Sequence, residues 1–331
     1  MLVGVIGNGS WGVALAQVLC DNNIETLVWG RNEHDVNLMN TEHTLKYFDD
    51  VVLSEKLVAT TDFTMLKDAD LLLIATPTKA LAQIIEMINE NVKKEVVIIN
   101  VAKGLFPETG ERLSVAIKRL MKPELLKALV ALVGPTHAEE VIVRQETAVV
   151  AVSEHEEARN IVQSLFSNEY FRVYTSDDLI GAEIGAAVKN VIAIAGGIIG
   201  GVGLGDNAQA ALITRGLTEI SRLGQELGGR LETFLGLTGV GDLIVTATSI
   251  HSRNYKAGFE VGKYGSDYYW ENNKTTVEGA LAVVEVLRLA NELNIEMPIS
   301  QAVYDVLYEG KDVKVTISNL MKRDLKAEHL Q

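Results

Sequence analysis

The chain has 331 residues, 47% of them hydrophobic and 22% charged, which excludes a disordered chain, a collagen and a coiled coil and suggests two domains at roughly 150 residues each. One cysteine, Cys20, excludes an intramolecular disulfide and with it a disulfide scaffold. Acidic residues outnumber basic ones 44 to 30, and the net charge of −14 repels nucleic acid and anionic membranes, so neither is an expected partner.

Met1-Leu2-Val3-Gly4 runs into an apolar stretch without leading basic residues, so no targeting signal and a cytoplasmic location are expected. Leu2–Ile6 reads as a strand, Trp11–Cys20 as a helix and Thr26–Trp29 as a second strand. Leu71–Ala75, Val96–Val101, Leu129–Val133 and Ala148–Val152 are continuous apolar runs of strand length, as in a parallel sheet covered on both faces. Strands alternating with helices predict βαβ units and a doubly wound, mostly parallel sheet. From about Asp177 onward helical patterns dominate. Ile213, Leu217, Ile220, Leu223 and Leu227 make one helix face, capped by Asp206 or Asn207 and stopped at Gly228-Gly229. Val277, Leu281, Val284 and Leu287 repeat the pattern, and Val303, Val306 and Leu307 begin another. The fold class predicted is an α/β Rossmann-type domain over residues 1–180, then an all-α domain over 181–331. The uncharged run between Lys189 and Asp206 reads as too short and glycine-rich to span a bilayer.

Gly7-Asn8-Gly9-Ser10-Trp11-Gly12 fits G-x-G-x-x-G between a strand and a helix, the context that gives this short motif its meaning. Gly7 suits the tight turn, Gly9 the approach of a pyrophosphate to the backbone, and Gly12 close packing of helix on strand. The helix start then offers free N–H groups to phosphates. Where a carboxylate would bind the ribose 2′-hydroxyl of NAD, the chain carries Arg31, which suits the 2′-phosphate of NADP. Glu33 nearby leaves NAD open, and Arg31 also reads as a solvated surface charge.

No metal site is expected. The histidines at 34, 43, 137, 155, 251 and 329 lack ligand spacing, and His137 beside Gly134-Pro135-Thr136 reads as structural. No G-x-S-x-G elbow is present. Lys103 follows the strand Val96–Val101, at the carboxyl end where open α/β sheets bind ligands. Lys189 lies among small and apolar residues. Burial there is costly unless the amine is paired or used, and it lowers the amine's pKa toward a proton-transfer role; a snorkelling surface lysine is the alternative. Arg253, in Ser252-Arg253-Asn254, offers a forked phosphate clamp or an ordinary loop. Asp242, in Gly239-Val240-Gly241-Asp242, is a site carboxylate or an Asx-turn residue.

The set GNGSWG (7–12), KG (103–104), GPTHAEE (134–140), AAVKNVIAIAGG (186–197), ALITRGLTEISRLG (211–224), LTGVGDLIVTATS (237–249), HSRN (251–254) and MPISQAVYDVLYEGKD (297–312) resembles bacterial NAD(P)-dependent glycerol-3-phosphate dehydrogenase along nearly the whole chain. The resemblance implies interconversion of sn-glycerol 3-phosphate and dihydroxyacetone phosphate with NAD or NADP, supplying glycerol 3-phosphate for phospholipids. It implies Lys189 as catalytic proton acceptor, Lys103 against cofactor and substrate, and Asp242 beside them. It implies Gly134, Thr136, Ser252, Arg253 and Asn254 as further substrate contacts. Cofactor contacts by the same resemblance are Ser10, Trp11, Arg31, Ala138, Arg253, Thr276 and Glu278. Thr276 stands where the family often has a β-branched apolar residue, and His137 where it more usually has phenylalanine. A homodimer is compatible with such a chain, although no apolar stripe singles out an interface. The competing readings are a ketopantoate or 6-phosphogluconate type of dehydrogenase, expected to lack the GDL and SRN motifs, and a non-catalytic dinucleotide sensor.

Overall fold

The computed structural model describes residues 1–107, 109–325 and 327–328; of the residues discussed above, His329 lies outside them. The chain divides into two compact units, 1–102 with 106–179, and 103–105 with 180–331.

The first unit is an eight-stranded sheet in the order β3-β2-β1-β4-β5-β6-β7-β8. Its strands are β1 (Leu2–Ile6), β2 (Glu25–Trp29), β3 (Val58–Thr60), β4 (Leu71–Ile74), β5 (Val96–Asn100), β6 (Leu126–Val133), β7 (Thr147–Val152) and β8 (Phe171–Ser176). The pairing is parallel from β3 to β6, β7 runs antiparallel to β6, and β8 is parallel to β7. Alternate residues of each central strand feed opposite cores. Val3, Val5, Leu71, Leu73, Val97 and Ile99 pack on one face; Ile6, Leu72, Ile74, Val96 and Ile98 pack on the other. This is why those strands read as unbroken apolar runs. Helices α1 (Ser10–Asp21), α2 (Glu33–Thr41), α5 (Ala138–Val141) and α6 (Glu156–Phe166) cover the first face. Helices α3 (Leu81–Asn91) and α4 (Leu113–Leu120) cover the second.

Two strands were not among those expected. β3 has three residues, too few for a periodic signal. β8 is half exposed, with Arg172, Tyr174 and Thr175 facing out, and so lacks an apolar run.

The second unit is helical: α7 (Leu179–Val202), α8 (Asp206–Glu226), α9 (Leu231–Leu235), α10 (Asp242–Thr248), α11 (Arg253–Tyr264), α12 (Ser266–Asn272), α13 (Glu278–Glu292), α14 (Pro298–Tyr308) and α15 (Val313–Met321). The cap expected at Asp206 or Asn207 is instead the backbone of Gly205, and Asp206 opens the first turn, where its charge suits the helix dipole. Gly228, at φ 96°, ends α8. The uncharged run between Lys189 and Asp206 begins inside α7, whose apolar stretch also extends to the N-terminal side of Lys189. α7 has 24 residues and is long and apolar enough to cross a bilayer, but 83% of its most apolar window is buried inside the protein, as befits a core helix. It meets α11 backbone to backbone. A Cβ on Gly258 would overlap the Ile194 carbonyl, and one on Gly197 would overlap that of Tyr255.

Candidate functional site

The turn from β1 into α1 is shaped by its glycines. Gly7 has φ 117°, a conformation that excludes side chains. A Cβ on Gly12 would overlap the Gly7 carbonyl and stand 3.1 Å from Ala75 Cβ. Gly9 is different: it has φ −73°, and among the described residues no atom beyond its chain neighbours lies within 4 Å of where its Cβ would stand. Packing therefore does not call for glycine at position 9, whereas backbone approach by a ligand does. Ser10 opens α1, and no side chain caps that helix, so its first N–H groups point out of the turn unclaimed by a capping side chain. Two side-chain atoms nearby, Asn8 Nδ2 and Thr76 Oγ1, are buried without a hydrogen-bond partner among the described residues. An open glycine, an uncapped helix start and two orphaned polar atoms fit a dinucleotide pyrophosphate and its riboses. Trp11 packs partly buried against the core, and Arg31 is exposed just past β2.

Farther along this unit, Gly134 follows β6, and a Cβ there would press on the backbone of Val149 and Ala148 at 2.9 and 3.0 Å. Thr136 Oγ1 donates to the Gly134 carbonyl at 3.2 Å. His137 is buried and Ala138 opens α5. The single cysteine is buried in α1, and burial pushes its thiol up to about 11.

The second unit holds a charged cluster. The Asp242 side chain is 0% exposed and that of Lys189 3%. Lys189 Nζ donates to Asp242 Oδ1 at 2.7 Å and to Thr246 Oγ1 at 2.6 Å. Lys103 Nζ, more open, donates to both Asp242 oxygens at 3.0 Å. Burial is the main force on Lys189, lowering its pKa to about 7. The Asp242 charge opposes that shift, and the Lys103 charge reinforces it. A π-helical turn, Leu237–Gly241, leads directly into α10, and Asp242 is that helix's first residue.

Sequence reasoning missed Thr246. Its signal was present, because position i+4 from Asp242 on a helix shares its face. It also missed Asn190, whose Oδ1 accepts from Asn254 Nδ2 at 3.0 Å, while Asn254 Oδ1 accepts from the Gly279 N–H at 2.8 Å. Asn254 thus ties α7 and α13 to the start of α11. Ser252 caps α11 by accepting from the Tyr255 N–H. Arg253 is exposed, with Nη1 at 3.5 Å from the Thr276 carbonyl. Glu278 opens α13. Lys103, Lys189 and Asp242 are therefore brought together in one cluster, and Ser252, Arg253, Asn254 and Thr276 are grouped about the start of α11.

Together these features define a nucleotide-binding oxidoreductase type of chain: a Rossmann-type sheet with a dinucleotide turn, and a helical unit with a desolvated lysine on a buried carboxylate. The profile of the N-terminal domain of NAD-dependent glycerol-3-phosphate dehydrogenase matches residues 2–159, and that of its C-terminal domain residues 178–318. A relative from Staphylococcus aureus (strain USA300 / TCH1516), named glycerol-3-phosphate dehydrogenase (NAD(P)+), is 46% identical over 98% of this chain and 99% of its own length. One of the same name from Macrococcus caseolyticus is 46% identical over 97% of this chain and 98% of its own. The glycerol-3-phosphate dehydrogenase structure from Coxiella burnetii is 32% identical with a TM-score of 0.90, covering 97% of this chain and 99% of that one. The chain belongs to the NAD-dependent glycerol-3-phosphate dehydrogenase family.

Proposed function

We propose that this chain interconverts sn-glycerol 3-phosphate and dihydroxyacetone phosphate with NAD(P)(H), as its relatives' names describe, and supplies glycerol 3-phosphate for phospholipid synthesis. The observation that carries the reading is the Lys189–Asp242 pair, a buried amine lowered to about 7 within reach of an ordinary cellular pH. NAD or NADP, held by Gly7, Gly9, Ser10, Trp11, Gly12 and Arg31, supplies the hydride acceptor or donor when bound.

The chain's own residues handle the proton and the phosphate. Two N–H bonds of Lys189 Nζ go to Asp242 Oδ1 and Thr246 Oγ1. The third tetrahedral position carries a lone pair in the amine and a proton in the ammonium. In oxidation the C2 hydroxyl passes its proton to that lone pair as hydride leaves C2, and in reduction the ammonium returns it to the forming alkoxide. Lys103 keeps the amine form accessible and steadies negative charge developing on oxygen. Asp242 holds both lysines and balances their charge. Arg253, Ser252 and Asn254, with Gly134 and Thr136, bind the substrate, and its phosphate fixes C2 for reaction. Ala138, Thr276 and Glu278 complete the proposed cofactor contacts. The proposal includes a cytoplasmic homodimer, testable by light scattering on the purified protein.

The test is NADH and NADPH oxidation at 340 nm against a panel of dihydroxyacetone phosphate, ketopantoate and other phosphorylated ketones. Turnover of dihydroxyacetone phosphate alone is expected. Lys189→Ala lowers that rate about 10²-fold or more and leaves dinucleotide binding intact. Turnover of ketopantoate instead, or a near-normal Lys189→Ala variant, overturns the reading.

A further inference from the structure

The turn that opens α1 contains a side chain the glycine pattern does not explain. Asn8 is the first variable residue of G-x-G-x-x-G, and its carboxamide lies flat against the α-carbon of Gly30. A Cβ at Gly30 would overlap that carboxamide, standing 2.5 Å from Nδ2 and 2.6 Å from Oδ1. Gly30 directly follows β2 and precedes Arg31. Its φ is outside the left-handed region, so the backbone tolerates alanine, and a methyl group there would displace the Asn8 carboxamide from this position. Asn8 Nδ2 nevertheless has no acceptor among the described residues although it is buried. A buried N–H without a partner costs about 1–3 kcal/mol, so its retention points to an acceptor brought by a ligand. The end of β2 is where a Rossmann sheet meets the adenosine ribose, while the α1 N-terminus serves the pyrophosphate.

We propose that Asn8 is a specificity-determining residue for the adenosine ribose: its Nδ2 donates to the ribose 2′ substituent, and Gly30 is glycine so that the carboxamide can stand beside Arg31. The inference rests on dinucleotide binding by this unit. Hydrogen bonds to a charged acceptor are stronger than those to a neutral one, so Asn8 favours a 2′-phosphate over a 2′-hydroxyl. A pyrophosphate acceptor would instead weaken both dinucleotides alike.

The experiment is equilibrium binding of NADPH and NADH to the full chain, followed by nicotinamide fluorescence and calorimetry, for the wild type, N8A, N8D, G30A and the N8A/G30A pair. We expect N8A to weaken NADPH about tenfold or more and NADH about threefold or less. N8D, which has nearly the same shape but accepts rather than donates, should weaken NADPH further by repelling the 2′-phosphate and bind NADH at least as well as N8A, because a carboxylate accepts from the 2′-hydroxyl. G30A should reproduce N8A, and adding it to N8A should change affinity less than about twofold. Equal losses for the two dinucleotides in N8A, or an unchanged NADPH affinity in both N8A and N8D, overturn the proposal. A wild-type protein that binds neither dinucleotide would instead overturn the family reading beneath it.

Discussion

Replacing Thr246 with valine keeps the shape of the side chain and removes one oxygen, the acceptor 2.6 Å from Lys189 Nζ. The helix loses little, because that hydroxyl otherwise donates to the carbonyl of Asp242 one turn earlier at 2.6 Å, with Asp242 Oδ1 at 3.5 Å a long second acceptor. For the lysine the change is one-sided. Both the ammonium and the amine can donate to Thr246, but a charge-assisted hydrogen bond contributes about 1.5–3 kcal/mol against about 0.5–1.5 kcal/mol for a neutral one. Deleting the acceptor therefore disfavours the ammonium by about 1 kcal/mol more than the amine. At 1.36 kcal/mol per pH unit, that moves the amine's pKa down by about 0.7. The starting value is about 7, and in the proposed mechanism of glycerol 3-phosphate oxidation the amine is the active form. In the wild type the rate thus rises with pH, is half-maximal near neutrality and levels off about one unit above it. In Thr246→Val the rising limb moves about 0.7 unit toward acid. The measurement is kcat/KM for glycerol 3-phosphate oxidation from pH 5.5 to 9, with dinucleotide saturating. A limb that stays within 0.2 unit of the wild type, or moves toward alkali, would refute the view that Thr246 sets the proton affinity of Lys189.

The opposite displacement is expected from Lys103→Met. The Lys103 charge helps hold the Lys189 pKa down, so its removal moves the same limb toward alkali, by about one unit, alongside a fall in kcat; an acid shift would contradict the assigned charge effect. Arg253→Ala removes an exposed guanidinium at the start of α11 and should raise KM for dihydroxyacetone phosphate about tenfold or more while changing kcat much less; an unchanged KM would remove Arg253 from phosphate binding. Outside the site, the buried Glu219 accepts from the Ile299 N–H at 2.5 Å, the Ser300 N–H at 3.1 Å and the Ser300 hydroxyl at 2.9 Å, tying α8 to the first turn of α14. Glu219→Ala strands those donors, costs about 3 kcal/mol and lowers Tm by about 6–12 °C at about 2–4 °C per kcal/mol. Glu219→Gln, which keeps an acceptor, loses less, and differential scanning calorimetry of the pair separates hydrogen bonding from shape.

The parts of this chain that could be read from sequence share a physical cause. β1, β4 and β5 bury both faces of a parallel sheet, so all but the buried Asn100 at the end of β5 are apolar or glycine and the run announces itself. β8 buries one face at the end of the sheet, and its Arg172 and Tyr174 follow solvent rather than the strand. The turn Gly7–Gly12 was legible because backbone conformation and close packing are properties of the glycine itself. Asn8 in the same turn was not legible, because the meaning of its amide depends on Gly30, a neighbour only in space.

The charged cluster shows the same boundary more sharply. Lys189 could be suspected because an apolar segment surrounds it in the sequence, and desolvation is the main cause of its lowered pKa. Asp242 carried no such mark. Its neighbours are glycines, which suggest a turn, yet the chain winds through a π-helical turn and continues as helix. Its partners lie 53 and 139 residues away in sequence, and only folding of the second unit around the short segment 103–105 brings the three charges together. A carboxylate taken fully out of water needs compensating charge, and here two ammonium groups share it. Because Lys103 and Lys189 share one counter-charge, the Lys103 charge adds to burial in lowering the pKa of Lys189, against the pull of Asp242. The asymmetry between the two lysines, 3% against 19% side-chain exposure, supports the proposed division of labour, proton transfer by Lys189 and electrostatic support by Lys103.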